Sequence, residues 1–309
     1  MTESLRVIAF PGAPNLPVFA ARELGFFAAN GLELEFETTP NSVYQFEQLS
    51  AGNFDIGMTA FDNIVAYREG QGAVELTGIN DFCAVMGATQ ISLSFVVSPD
   101  VKSYADLKGK TLALDALATG FAFVLYEMLE KNGLALDDIE MVAVGATPDR
   151  WMSVKDGTHA GTLTIEPFTS LAKAAGFNEL DVSANVVDSY QGGIVAASRE
   201  FVAKESDRVE AYIAGYLAGL EWTLDPVNYD EAKNILLTNM PAIKPPVADS
   251  VMASVLSESS GLTPGGNILR DGIATVLRLR SKYGTGSELT EIDRYLDLSA
   301  WERVVNPAD

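Results

Sequence analysis

The sequence predicts an α/β protein built on mixed, mostly parallel sheets flanked by helices. Short apolar strand signals alternate with helical stripes through the first two thirds of the chain. Gly, Pro, Asn and Asp punctuate the junctions between them. With 309 residues, 48 % of them apolar, the chain can bury a sizeable core as one large domain or two modest ones.

Leu5-Arg6-Val7-Ile8-Ala9-Phe10 reads as a buried strand ending at Pro11-Gly12. A short helix follows, with Asn15 as its N-cap and Pro17 in the first turn. Gly25 breaks it, and Asn30-Gly31 closes the next turn. Leu32-Glu33-Leu34-Glu35-Phe36 alternates apolar and acidic, as a half-buried strand does. Val43, Phe46 and Leu49 share a helical face that Gly52-Asn53 closes. Asp55-Ile56-Gly57-Met58 is a short strand running into Thr59-Ala60-Phe61-Asp62, where Thr59 and Asp62 have capping-box spacing. Phe61, Ile64 and Val65 then mark a helix.

The middle of the chain repeats the alternation. Residues 91–97, 111–114, 141–144 and 161–165 are strand-like, and Ser103 with Asp106 forms a second capping-box signal. Thr119-Gly120 opens a helix whose Phe121, Val124, Leu125, Met128 and Leu129 share one face, stopped by Asn132-Gly133. From Glu200 long helices take over. Val209, Tyr212, Ile213, Tyr216, Leu217, Leu220 and Leu224 form the strongest stripe, and Pro226 bars its continuation. Residues 241–246 read as a loop, and Leu269, Ile273, Val276 and Leu277 mark a further helix.

Several function classes are disfavoured. Lys and Arg number 21 against 42 Asp and Glu, a net charge of −21 that repels nucleic acid and anionic membranes. No apolar run is long enough to span a bilayer. The N-terminus enters a strand with no basic leader region, so the expectation is a cytoplasmic protein or one whose leader was removed beforehand. Cys83 is alone and reads as a small core residue. The sole histidine, His159, lies in a turn, without the partners a metal site or a Ser-His-Asp nucleophile requires. Gly109-Lys110-Thr111 resembles the end of a phosphate loop, but Tyr104 stands where its first glycine belongs, and a strand follows instead of a helix. No cofactor and no metal are expected. Asp62, Asp115, Glu166 and Asp188 sit at strand–helix junctions, where capping and ligand hydrogen bonding compete with acid–base work.

In open α/β sheets, ligands bind at the carboxyl ends of strands. Five junctions are therefore candidates: Gly12-Ala13-Pro14-Asn15; Thr59-Ala60-Phe61-Asp62; Asp115 through Thr119-Gly120-Phe121; Glu166-Pro167-Phe168; and Tyr190-Gln191-Gly192-Gly193. Helix-start N–H groups there can hold an oxyanion without a charged side chain. Phe61, Phe121, Phe168 and Tyr190 are candidates for an apolar slot, with core packing as the competing reading. Arg150 is a candidate anion clamp or a surface arginine.

At these residues the chain resembles the solute-binding proteins of ABC transporters, in the nitrate/sulfonate/taurine group that includes thiamine-pyrimidine binders. Five blocks in order carry the resemblance: 16–33 (Leu16-Pro17 through Gly25-Phe26-Phe27 and Asn30-Gly31-Leu32-Glu33), 48–57 (Gln48-Leu49-Ser50-Ala51-Gly52), 101–110 (Ser103-Tyr104-Ala105-Asp106-Leu107), Glu166-Pro167, and 195–201 (Val195-Ala196-Ala197-Ser198). The resemblance implies a type II periplasmic-binding-protein clamshell that closes by a hinge motion. Residues 1–90 and 194–309 would form one lobe and 91–193 the other, with the five junctions facing the cleft. It further implies a monomer outside the cytoplasm that delivers a small molecule to an ABC permease.

One departure bears on the ligand. Ala118-Thr119-Gly120-Phe121 stands where relatives often have a Gly-Ser-type anion loop; in the Glu166-Pro167 block, Ile165 stands in place of a tryptophan. Phe121 adds apolar bulk, so the expected ligand is organic, with a flat part and a polar end. His159 also replaces a usual Asp. Clamshell-fold enzymes are the first alternative. The yeast pyrimidine-synthesis type needs a lysine, a histidine and a cysteine-rich loop, whereas the first lysine here is Lys102. A lyase or dehydratase type works with carboxylates or backbone groups and stays open, as does a cytoplasmic ligand sensor.

Overall fold

The computed structural model describes residues 2–307. It is a two-lobed α/β fold with one five-stranded sheet in each lobe. The first sheet contains β1 (Glu3–Ala9), β2 (Leu32–Thr38), β3 (Ile56–Ala60) and β4 (Phe82–Thr89). The second holds β5 (Ser94–Val97), β6 (Thr111–Leu114), β7 (Glu140–Ala143), β8 (Gly161–Thr164) and β9 (Asn178–Val182). The chain then returns to the first sheet as β10 (Gly193–Ser198).

The strand orders are β2-β1-β3-β10-β4 and β7-β6-β8-β5-β9. In the first sheet β1 runs parallel to β2 and β3, and β10 runs antiparallel to β3 and β4. In the second, β6 runs parallel to β7 and β8, and β5 runs antiparallel to β8 and β9. Each sheet therefore has a single reversed strand, the one that follows a crossover. The other strands of a sheet end on the same side, which gives each lobe one edge of strand carboxyl ends.

The apolar pattern explains why both sheet faces are covered. Successive side chains of β10 point to opposite faces: Ile194 and Ala196 join one core, Val195 and Ala197 the other. β1 divides likewise, with Ile8 in one core and Val7 and Ala9 in the second. The core on the Ile8 face runs on into the other lobe, through Phe95, Leu112, Phe123 and Leu163. The helix Arg270–Tyr283 lies along this shared core, against both Phe61–Arg68 and Gly120–Lys131. The long helix Ser206–Leu224 buries Val209, Tyr212, Ile213, Tyr216 and Leu220 and stops before Pro226, as its stripe predicts.

Local signals fail where a tertiary partner outcompetes them. Asn15 sits at the N-cap of Leu16–Glu23, but its Nδ2 donates to the Phe10 carbonyl at 2.8 Å instead of capping. Thr59 and Asp62 do not form a capping box. Ala60 is the N-cap, Thr59 Oγ1 accepts from Asn63 Nδ2 at 2.9 Å, and Asp62 pairs with Arg280. The expected strand at 91–97 starts only at Ser94, because Ile91 takes a φ of 55°, a left-handed conformation costly for a β-branched residue. Within 241–246, read as a loop, the helix Pro245–Val255 already begins, since proline suits a helix's first turn. The Ser103–Asp106 capping box forms, and Thr119 caps Gly120–Lys131.

Candidate ligand-binding site

The two edges of strand carboxyl ends face each other across a cavity of about 820 Å³, its mouth to solvent included. The first lobe contributes Phe10 and Gly12 after β1, Met58 through Ala60 from β3, and Ala88 and Thr89 from β4. Gly193 and Ile194 open β10 beside them. The second lobe contributes Asp115 after β6, Thr147 and Arg150 beyond β7, and Ile165 after β8. Thr119, Gly120 and Phe121 add the start of the helix Gly120–Lys131, whose first-turn N–H groups have no acceptor within the helix.

Most of this wall is apolar, and its polar groups are held in place. The Asn15 amide is tied to Phe10, and Asn63 to Thr59. Thr89 Oγ1 accepts from Gly193 N at 3.1 Å. Arg150 is 3 % exposed. Its Nη1 donates to the Leu163 carbonyl at 2.9 Å and to Thr162 Oγ1 at 3.2 Å, and its Nη2 donates to Thr147 Oγ1 at 2.9 Å. Burial pulls its pKa down to about 10, opposed by the charge of Asp115, so the guanidinium stays protonated at neutral pH.

Backbone bonds clasp the lobes around this space. Ala13 N donates to the Glu166 carbonyl at 3.0 Å, and Ala146 N to the Pro40 carbonyl at 2.9 Å. Ser42 N donates to the Asp115 carboxylate at 3.2 Å. On the far side Arg280 Nη2 reaches the Ala118 carbonyl at 2.9 Å.

Residues 14–228 match the family described as NMT1/THI5 like. The chain belongs to the NMT1/THI5-like family. A curated relative is the formylaminopyrimidine-binding protein of Halalkalibacterium halodurans, 22 % identical over 255 residues, or 80 % of this chain and 73 % of the relative. Among solved structures, the fold is similar to a ligand-binding component of an ABC-type import system from Staphylococcus aureus (TM-score 0.78, 12 % identity, 98 % and 99 % of the two chains). It is also similar to the alkanesulfonate-binding protein SsuA from Xanthomonas axonopodis pv. citri (TM-score 0.73, 15 % identity, 92 % and 93 %).

In this NMT1/THI5-like chain, eight of the residues expected at the site line the cavity: Gly12, Asn15, Thr59, Asp115, Thr119, Gly120, Phe121 and Arg150. Seven others lie behind its walls or beside it. Ala13 is buried in the first-lobe core, and its amide donates to the Glu166 carbonyl of the opposite lobe. Phe61 is fully buried, edge-on to Tyr295. Asp62 is sealed against Arg280 with both side chains at 0 % exposure. Phe168 packs with Trp151, Val154 and Ala172 in a small core of its own. Gly192 is pressed against Ile91, which leaves no space for a Cβ. Tyr190 supports the site from behind: its ring lies 6.4 Å from that of Phe121, and burial, then the Asp62 charge, holds its hydroxyl protonated. Glu166 faces a smaller adjoining pocket beside Ser254 and Ser260. Burial raises its pKa, while Ser170 donates to it through both N and Oγ.

The wall residues not anticipated fall into two kinds. Phe10 and Met58 sit at the ends of strands already recognised, so the carboxyl-end rule applied one residue further would have reached them. Thr89 and Ile194 join the site only because β10 inserts between β3 and β4, a pairing that no local pattern encodes. Cys83 is buried in β4, where burial pushes its thiol up to about 12 and leaves it unreactive. Among the described residues, no three His, Cys, Asp or Glu side chains gather as a metal site.

Proposed function

We propose that this protein captures a small organic solute between its lobes outside the cytoplasm and passes it, chemically unaltered, to an ABC-type permease. One observation carries the reading. The cavity is walled by both sheets at their strand carboxyl ends, so a solute seated there touches both lobes and favours their closed arrangement. The names of the relatives support it: one binds a formylaminopyrimidine, another an alkanesulfonate.

The working division is residues 1–90 with 194–309 as one lobe and 91–193 as the other, acting as a monomer; residues 1, 308 and 309 lie outside the described structure. Phe121, with Phe10 and Met58 on the opposite wall, favours a flat organic body over a bare inorganic anion. Binding without turnover fits the wall chemistry. It holds threonines and one carboxylate, Asp115, but neither a histidine nor a cysteine.

A thermal-shift screen tests the proposal. Sulfonates, aromatic carboxylates, pyrimidines and flavin-like compounds form the panel. A true solute at about 100 times its dissociation constant adds about 2.7 kcal/mol of stability, a rise of several degrees in melting temperature. The compound should be recovered intact after incubation. A flat response across all classes, or conversion of the bound compound, contradicts the proposal.

A further inference from the structure

Resting on the reading of a solute-capture protein, we propose that the solute is an anion: a flat organic body bearing a carboxylate that Arg150 receives. Two arginines of this chain are almost fully buried, and they are treated differently. Arg280, 1 % exposed, is clamped by both oxygens of Asp62, with Nε to Oδ1 at 2.6 Å. Arg150, 3 % exposed, forms no ion pair with a carboxylate among the described residues. Its contacts are two threonine hydroxyls and one carbonyl, all neutral. Its Nε is buried with no hydrogen-bond partner.

A guanidinium has five N–H donors, and the three contacts leave Nε and more besides unused. A buried charge without a counter-ion costs several kcal/mol, and an unmet buried donor adds to that. The chain holds 42 acidic residues, yet among the described residues none is hydrogen-bonded to this cation. Asp115 shares the cavity and acts on Arg150 through space, but both its oxygens accept from Ser42 N of the opposite lobe. The missing partner therefore comes with the solute. A carboxylate matches the planar fork of a guanidinium and can take two parallel N–H bonds. The rest of the solute faces Phe10, Met58, Phe121 and Ile165, which offer ring and aliphatic surface and no charge.

The test uses matched acids and amides as probes: benzoate, nicotinate, indole-3-acetate and 2-naphthoate, each beside its primary amide. Melting temperatures are read for the wild-type chain, Arg150→Met and Arg150→Gln. At least one acid should raise the wild-type melting temperature by several degrees while its amide does not. Both variants should bind that acid more weakly, on the order of a hundredfold. Solute-free Arg150→Met should melt at or above the wild type, because an unpaired buried charge has been removed. Amides that stabilise as well as acids overturn the charge requirement but leave solute capture standing. So does an acid that binds both variants undiminished, or a melting temperature of free Arg150→Met far below the wild type. If no acid shifts the protein while uncharged solutes of the wider panel do, the anion is again overturned and capture stands. Silence from every solute class overturns capture itself.

Discussion

Asp62→Ala is expected to destabilise the fold by about 3–5 kcal/mol, the cost of removing one partner from a buried ion pair. Asp62 and Arg280 are both inaccessible to solvent, so the variant leaves a guanidinium in the core with no counter-charge. Its remaining contacts, Gln71 Oε1 at 3.4 Å, the Ala118 carbonyl and the ring of Phe123 at 4.9 Å, carry no negative charge. The pair also anchors a junction. Asp62 lies on Phe61–Arg68 of the first lobe, Arg280 on the late helix Arg270–Tyr283, and Ala118 in the loop that leads to Gly120–Lys131 of the second. Urea denaturation measures the loss. Replacing both partners with apolar residues, as in Asp62→Leu with Arg280→Met, should recover a large part of it, since no unpaired charge remains. A single-variant cost below about 1 kcal/mol would show that water or another group compensates Arg280.

Gly120→Ala should weaken solute binding by at least tenfold and cost about 1–3 kcal/mol of stability, the range for overpacking a tight site. A Cβ on Gly120 would stand 2.5 Å from Asp62 Cβ and 2.5 Å from Tyr190 Oη. Neither neighbour yields easily. Asp62 is fixed by Arg280, and Tyr190 is buried behind Phe121. The relief available is to push the first turn of Gly120–Lys131 away from the first lobe. Thr119, Gly120 and Phe121 are cavity wall, so the displacement is read out as lost affinity. Calorimetric titration with the best stabilising solute measures it. Undiminished affinity in a folded variant would mean that these three residues do not touch the solute.

The contrast between Gly120 and Asp62 shows what could be read from the residues alone. Both sit at strand–helix junctions that the sequence marks clearly, and both were expected at the cleft. Gly120 reaches it because Thr119 caps the helix and turns its first residues toward the opposite lobe. Asp62 does not, because an arginine 218 positions later arrives to neutralise it. Alternation and capping residues revealed where strands end, and in an α/β sheet those ends are where ligands bind. They could not reveal which side of each junction faces the partner lobe. That depends on pairings such as β10 between β3 and β4 and on the packing of Arg270–Tyr283. Phe61 and Phe168 were lost to the core for the same reason: an aromatic after a strand fits a slot or a core equally well until its neighbours are known. Arg150 was legible only as two alternatives. Its burial removes the surface-arginine alternative, and that burial comes from the Thr147, Thr162 and Leu163 contacts of a sheet assembled from separate segments.

Small-angle scattering during a titration asks whether the halves of this molecule close over a guest. The solute that raises the melting temperature most is added to the free protein in steps up to saturation. The radius of gyration should fall as the solute binds and level off at one equivalent, at the value of the clasped structure described here. A radius that stays constant through saturation, with binding confirmed by calorimetry in the same sample, would contradict closure around a captured solute.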